Sequence, residues 1–318
     1  VLVHICIMDI VGDGASTDTG ADVDMEPPVP ERLAEELAHW QRTTCATCSR
    51  NSMFYCPFCC RPLGVPAGVA VPRVRLPFGR CDIIFDDAPK KATSIHAKVL
   101  APGQVRFVDL FTNDTSTNRT LSRVQAAEGR GDAETETSVD AADMRVLREV
   151  PEYDPKASVV LFPDEGSVPF AELVEAGLFE VAPRDVTIIL IDAPWKRAQT
   201  LRRHPQLANL RSVRLKAPPA SRFWRYHSEG RGCVSTIEAL AALAREVAEV
   251  TGAEAGRGGA DEDPLLFFFL RQFAYIAAQA GALGAELPTD EACKARRSAR
   301  GRQKDRTKPL RLRPMGEA

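Results

Sequence analysis

Apolar residues in this chain follow two rhythms: short unbroken runs, and stretches where they recur every three or four positions. Residues 186–191 (VTIILI) form the plainest run and predict a parallel strand buried on both faces. Runs at 69–76, 81–85, 105–110, 159–162 and 212–215 predict further strands, the one at 159–162 closed by Pro163. The helical rhythm marks 31–40, with Leu33, Leu37 and Trp40 at helical spacing. It returns at 93–100, 170–178, a basic helix from Trp195 to about His204, 235–250, and the very apolar 264–279. Strands alternating with helices predict an α/β sheet. Polar stretches interrupt the pattern: 1–30, disordered over its Gly-, Asp-, Thr- and Pro-rich part; an insertion or mobile loop at 112–157; and a Gly-rich linker at 251–263.

Composition adds three constraints. At 318 residues and 44% hydrophobic, the chain can bury a substantial core. No run of eighteen apolar residues occurs, so no membrane partner is expected, and the short apolar stretch 1–10 lacks the basic lead of a signal peptide. The formal net charge of −2 hides segregation. Residues 291–318 carry ten Lys/Arg against three acids, and 184–250 carry twelve against six, a distribution that suits a polyanion. The plain alternative is a solvated tail and a solvated helix face. The basic tail, 286–318, is expected to be disordered and to serve as a nuclear address or an RNA anchor; a cytoplasmic location is the alternative.

Five of the nine cysteines fall between residues 45 and 60. Cys45-x-x-Cys48 and Cys56-x-x-Cys59 are two knuckles close enough to surround one tetrahedral zinc ion, making 31–66 a small four-cysteine zinc-binding module. Cys60 is a spare that could replace Cys59. Such a site is filled by protein ligands, so its role is structural. The tight pairing and odd total argue for a reducing compartment rather than a disulfide framework.

Asp192 falls at the end of the predicted central strand, where open α/β sheets bind ligands. It could equally cap the helix that follows, with Pro194 in the first turn. Trp195 is either core packing or a wall for a flat ligand. Ser235 and Glu238 have the spacing of a capping box, which accounts for them fully, yet a helix N-terminus also suits a carboxylate ligand. Arg222, Trp224 and Arg225, interleaved with Phe223 and Tyr226, could stack on bases and pair with phosphates, or could be core aromatics with incidental charge.

Taken in order, these motifs resemble the DTW-domain family. The resemblance rests on the two Cys knuckles, His96-Ala97-Lys98-Val99-Leu100, Leu161-Phe162-Pro163, Asp192-Ala193-Pro194-Trp195, Phe223-Trp224-Arg225 and Ser235-Thr236-Ile237-Glu238-Ala239, together spanning about residues 43–245. Pro194 stands where the family signature has threonine. The resemblance implies a SPOUT-like α/β domain over 67–285, with a C-terminal trefoil knot holding S-adenosyl-L-methionine. It implies transfer of that compound's 3-amino-3-carboxypropyl group to a tRNA uridine. Leu161, Phe162, Pro163, Asp192, Trp195, Ser235, Thr236, Ile237 and Glu238 would bind the cofactor. Asp192 would be the catalytic residue, as base or as ligand to the cofactor's amino group. Lys196, Arg197, Arg222, Trp224 and Arg225 would contact tRNA. A monomer is expected. Two other readings share these residues: RNA methyl transfer, and a zinc-ribbon RNA-binding protein without catalysis.

Overall fold

The structure, a computed structural model, describes residues 5–6, 31–86, 92–109, 147, 149–224, 233–253 and 263–282. The basic tail, most of the 112–157 insertion, Arg225 and nearly all of 1–30 lie outside these residues.

Six parallel strands form the central sheet: β1 (Arg80–Phe85), β2 (Val105–Asp109), β3 (Ser158–Leu161), β4 (Val168–Pro169), β5 (Thr187–Asp192) and β6 (Arg211–Arg214). Their spatial order is β2-β1-β5-β3-β6-β4. The aliphatic run at 186–191 therefore occupies an interior place, with Ile188 beside Cys81 and Val159. All six residues of β5 pair with β1, and the first four also pair with β3.

Because side chains alternate across a strand, β5 feeds two separate cores. Ile188 and Leu190 join a large cluster on one face, and Ile189 and Ile191 a smaller one on the other. The large cluster is covered by α2 (Ser94–Leu100), α3 (Phe170–Glu175), α6 (Thr236–Thr251) and α7 (Phe267–Ala282). The small one lies under α4 (Trp195–Arg202), α5 (Pro205–Ala208) and the segment 147–153. Alanines at 239, 241, 242, 244 and 248 keep the buried side of α6 thin, and Gly252, in the left-handed region at φ 64°, ends that helix.

The expected strand at 69–76 does not form. Its polar backbone groups have other partners: Val74 N–H donates to Leu100 O, and Leu76 N–H to the side-chain oxygen of Gln104. The segment is extended but belongs to no ladder. The insertion is also shorter at its far end than its composition suggests. Val150 is buried, and Tyr153 donates to Asp82 across 3.0 Å on the small-core face. Asp82 is fully buried there with Arg106 and Arg80 as ion-pair partners. The apolar stretch beginning at Pro264 opens as a single 3-10 turn before α7 starts at Phe267. Among the described residues no helix is long and apolar enough to cross a membrane.

An N-terminal helix, α1 (Glu31–Leu37), is tied to α7 by one ion pair. Glu36 receives two hydrogen bonds from the Arg271 guanidinium, at 2.7 and 2.6 Å, and one from Trp40 at 2.8 Å. Burial raises the Glu36 pKa, but Arg271 and Trp40 outweigh it and leave the carboxyl below its ordinary value. A depressed folded-state pKa gives stability that is present above the unfolded value and is lost as pH falls through the folded one. Glu36→Gln imitates the protonated form and strands a buried guanidinium. It should cost roughly 2–3 kcal/mol at neutral pH, less than a fully buried pair because Glu36 keeps some solvent contact. Thermal melts should show the gap to the parent closing as pH drops below about 4; a gap independent of pH would remove the ion pair as the cause.

Candidate functional site: the carboxyl edge of the sheet and the four-cysteine module

The four knuckle cysteines converge. The sulfurs of Cys45, Cys48, Cys56 and Cys59 all lie within 4.8 Å of one another, with Cys45–Cys59 at 3.7 Å and Cys48–Cys56 at 3.5 Å. A tetrahedron with metal–sulfur bonds of ~2.3 Å has edges of ~3.8 Å, so these residues could hold one zinc ion. Cys60 is outside the group, so Cys59 is the cysteine placed to be the fourth ligand.

Local sequence builds each knuckle. Short antiparallel pairs, Thr43–Thr44 with Asn51–Ser52 and Tyr55–Cys56 with Arg61–Pro62, bring the two ends of each loop together. The residue after each second cysteine turns left-handed, Ser49 at φ 57° and Cys60 at φ 51°. Non-glycine residues adopt that region at some cost, here with the Ser49 and Cys60 N–H groups donating to the carbonyls of Cys45 and Cys56. Burial alone would raise the Cys45 thiol, but N–H groups of Cys48 and Thr47 and neighbouring thiols bring it down to about 7. Burial pushes Cys56 up to about 11, and burial with adjacent sulfurs pushes Cys59 up as well. Four sulfurs this close cannot all ionise unless a cation shares the space. Cys233 stands apart: it is disulfide-bonded.

The module docks through aromatic rings. Phe54, itself at φ 70°, packs 5.0 Å from Trp40 and 6.1 Å from Tyr275. Next to Cys56, Tyr55 accepts from Gln272 at 3.0 Å and shares a 2.8 Å hydrogen bond with Nε2 of His96. Burial lowers the His96 pKa to about 3, so the ring is neutral at physiological pH. The His-Ala-Lys segment thus joins the module to the sheet domain, and Lys98 ends α2 by donating to the carbonyls of Pro102 and Val105.

At the carboxyl edge of the sheet, Asp192 is the last residue of β5, opposite Phe85, and is 1% exposed. The helix begins three residues later. Pro194 is its N-cap, with no side-chain cap, and its carbonyl receives the N–H groups of Arg197 and Ala198. Asp192 is therefore a strand-end carboxylate and not the helix cap.

Trp195 and Phe162 come together with centroids 5.3 Å apart and planes 7° from parallel. Phe162 and Pro163 follow β3, the neighbour of β5, so two motifs far apart in sequence share one wall at the carboxyl edge. Arg202, at the end of α4, fixes that wall from behind. It donates to Asp164 at 3.3 Å, to Ser212 at 3.1 Å, and to the carbonyls of Leu207 and Leu210. The sequence alone puts Arg202 on a solvated basic helix and gives no role to Asp164 or Ser212; no spacing signal connects them.

The Ser235 capping box is present. Glu238 accepts from the Ser235 N–H at 2.8 Å, and Ser235 Oγ accepts from the Glu238 N–H. Glu238 also receives Ser221 Oγ at 2.9 Å and the Arg222 N–H at 2.8 Å, so it anchors the 221–222 loop as well as the helix. Thr93 Oγ1 lies 3.4 Å from the Ile237 N–H, linking the start of α2 to the start of α6. Thr236 and Ile237 are buried beside them.

The expected RNA contacts divide. Lys196 is exposed on α4. Arg197 is exposed too but is paired with Asp86 at 2.7 Å, just beyond β1. Asp86 N–H donates to Asp192 O, so this pair borders the same edge. Phe223 and Trp224 pack against Phe269 in the large core, at 6.5 and 5.5 Å between centroids, while Arg222 is half-buried. Trp224 is half-buried and packs one side against that core.

Comparison with known proteins gives two findings. The DTW domain family matches residues 53–276. The chain is similar to tRNA-uridine aminocarboxypropyltransferase 1 of Mus musculus, 26% identical over 262 residues that cover 74% of this chain and 77% of the relative. No solved structure matches.

The geometry of the four cysteines predicts about one zinc per chain in purified protein, measured by elemental analysis. Cys48→Ser should lower that content and Cys60→Ser should leave it unchanged. Equal loss in both variants, or a native Cys45–Cys48 disulfide, would sink the assignment.

Proposed function

The chain belongs to the DTW-domain family, and from that premise we propose that it transfers the 3-amino-3-carboxypropyl group of S-adenosyl-L-methionine to a uridine in tRNA. The observation that carries this reading is the wall at the carboxyl edge: a buried carboxylate, Asp192, and the stacked pair Phe162–Trp195 at the ends of adjacent strands. A relative with 26% identity is named for this activity on tRNA uridine. A threaded, SPOUT-like knot is part of the proposal and follows from the family alone.

When bound, S-adenosyl-L-methionine supplies an electrophilic carbon next to its sulfonium, and the leaving product is methylthioadenosine. The protein must decide which of the three carbons on sulfur meets the nucleotide, and orientation alone decides that. Phe162, Pro163 and Trp195 offer a flat apolar face for an adenine. Asp192 offers an acceptor, for the amino group of the transferred chain or for the proton of the attacking uridine nitrogen. The buried start of α6 already spends Ser235 and Glu238 on its own cap, so within that motif Thr236 and Ile237 are the better candidates for contact with the cofactor.

Pro194 fits this reading. A threonine at the N-cap would add a side-chain hydrogen bond worth about 1 kcal/mol to the helix. Proline keeps the backbone path, because its carbonyl still accepts the first helical N–H groups.

Incubating the protein with tRNA and S-adenosyl-L-methionine should yield 3-(3-amino-3-carboxypropyl)uridine, detected by mass spectrometry of digested nucleosides. Methyluridine in its place would move the protein to the methyltransferase reading. Asp192→Asn should reduce turnover by roughly 10²-fold or more, with little change in melting temperature. Near-normal turnover in that variant would remove Asp192 from the chemistry.

A further inference from the structure

The extended segment before β1 and the 3-10 turn before β5 (Pro183–Asp185) enclose an open groove of about 1020 Å³ at the amino edge of the sheet. We propose that this groove is a second RNA-binding surface, gripping the sugar-phosphate backbone through Arg73, Arg75 and Arg184. The proposal rests on the reading of tRNA as substrate and adds a contact that lies away from the reacting nucleotide.

The arginines are presented by construction. Along the segment, Arg73 and Arg75 are exposed, Val74 is half-buried and Leu76 is buried, so one side of the extended chain carries both guanidinium groups. Gln104 holds that chain rigid, accepting from Leu76 N–H at 2.8 Å and donating to Phe78 O at 2.7 Å. Val74 N–H donates to Leu100 O. The third arginine arrives because the two segments touch through backbone. Gly79 N–H donates to Val186 O at 3.0 Å, and a Cβ at position 79 would stand 2.7 Å from Asp185 O. Only glycine permits that approach, which sets Arg184 beside the groove.

Charge and chemistry select the partner. Three guanidinium groups face one carboxylate, Asp185, which lies 3.9 Å from Arg184. Arg73 and Arg75 have no ion-pair partner among the described residues. The one aromatic ring in the lining, Phe78, is 1% exposed, so the floor cannot stack bases and contact should be with backbone, independent of sequence. Strand β5 separates this edge from Asp192 by ~17 Å, at about 3.3 Å per residue. Phosphates held here therefore belong to a part of the RNA several nucleotides from the target.

Fluorescence anisotropy with full-length protein and tRNA, across a salt series, tests this. Arg73→Gln/Arg75→Gln/Arg184→Gln should weaken binding and flatten the plot of log affinity against log salt by ~2–3, near 0.9 for each lost phosphate contact. The KM for tRNA should rise while kcat at saturating tRNA stays put. Lysine at the same three positions should restore the slope, which a folding defect would not allow, and Asp185→Asn should tighten binding. Parental affinity and slope in the glutamine variant would overturn the proposal and leave the groove to an acidic protein surface. Failure of the parent protein to bind tRNA would overturn it too, but by removing the substrate reading on which it rests.

Discussion

The whole molecule depends on covering β5 from both sides. A strand with Ile188, Ile189, Leu190 and Ile191 fully buried gains roughly 1.5–3 kcal/mol for each large side chain taken from water, but only if both faces of the sheet are closed. Two sets of helices meet that demand, four on one face and α4 with α5 on the other. The chain must therefore leave the carboxyl end of β5 and turn at once to its smaller face. That turn is Asp192–Trp195, and it places a carboxylate and an indole at the sheet's edge as a by-product of closing the core.

The edge is then fixed by polar contacts that the apolar core cannot supply. Dispersion and burial are non-directional, so they locate α4 on the sheet without setting its lengthwise position. Arg202 does that by reaching the post-β3 residue Asp164, the β6 residue Ser212 and the carbonyls of Leu207 in α5 and Leu210 beyond it at once. With its far end anchored, α4 carries Trp195 onto Phe162 at its near end. A wall that orients a ligand needs placement within a fraction of an ångström, and one guanidinium with acceptors in β6, in α5 and in two loops is a rigid way to obtain it.

The four-cysteine module shows a different solution to a small-core problem. A segment of this size buries too little apolar surface to hold itself together, and its four converging cysteines could hold a metal in place of the missing core. Its outer contribution is a set of rings, Trp40, Phe54 and Tyr55, laid against α7 and His96. Loss of metal would therefore be felt in α2, whose preceding residue, Thr93, touches the start of α6.

The sequence by itself determined the alternation of strands and helices, the doubly buried central strand, the four-cysteine ligand pattern and the Ser235 cap. Each of these is written in local spacing, because strand, helix, knuckle and cap geometries repeat over two to four residues. It left Asp192 open between cap and ligand, Cys59 open against Cys60, and Trp224 open between core and RNA. The tertiary structure removed the cap reading of Asp192, set Cys60 outside the cysteine group and packed a half-buried Trp224 against the core, because those choices depend on which atoms meet across the fold. It also revealed what no spacing encodes: Arg202 on Asp164, His96 under Tyr55, and Arg184 beside Arg73 and Arg75. The predicted strand at 69–76 failed for the same reason, since an apolar run becomes a strand only when a neighbouring strand has free backbone groups to pair with, and here Gln104 and Leu100 take them instead.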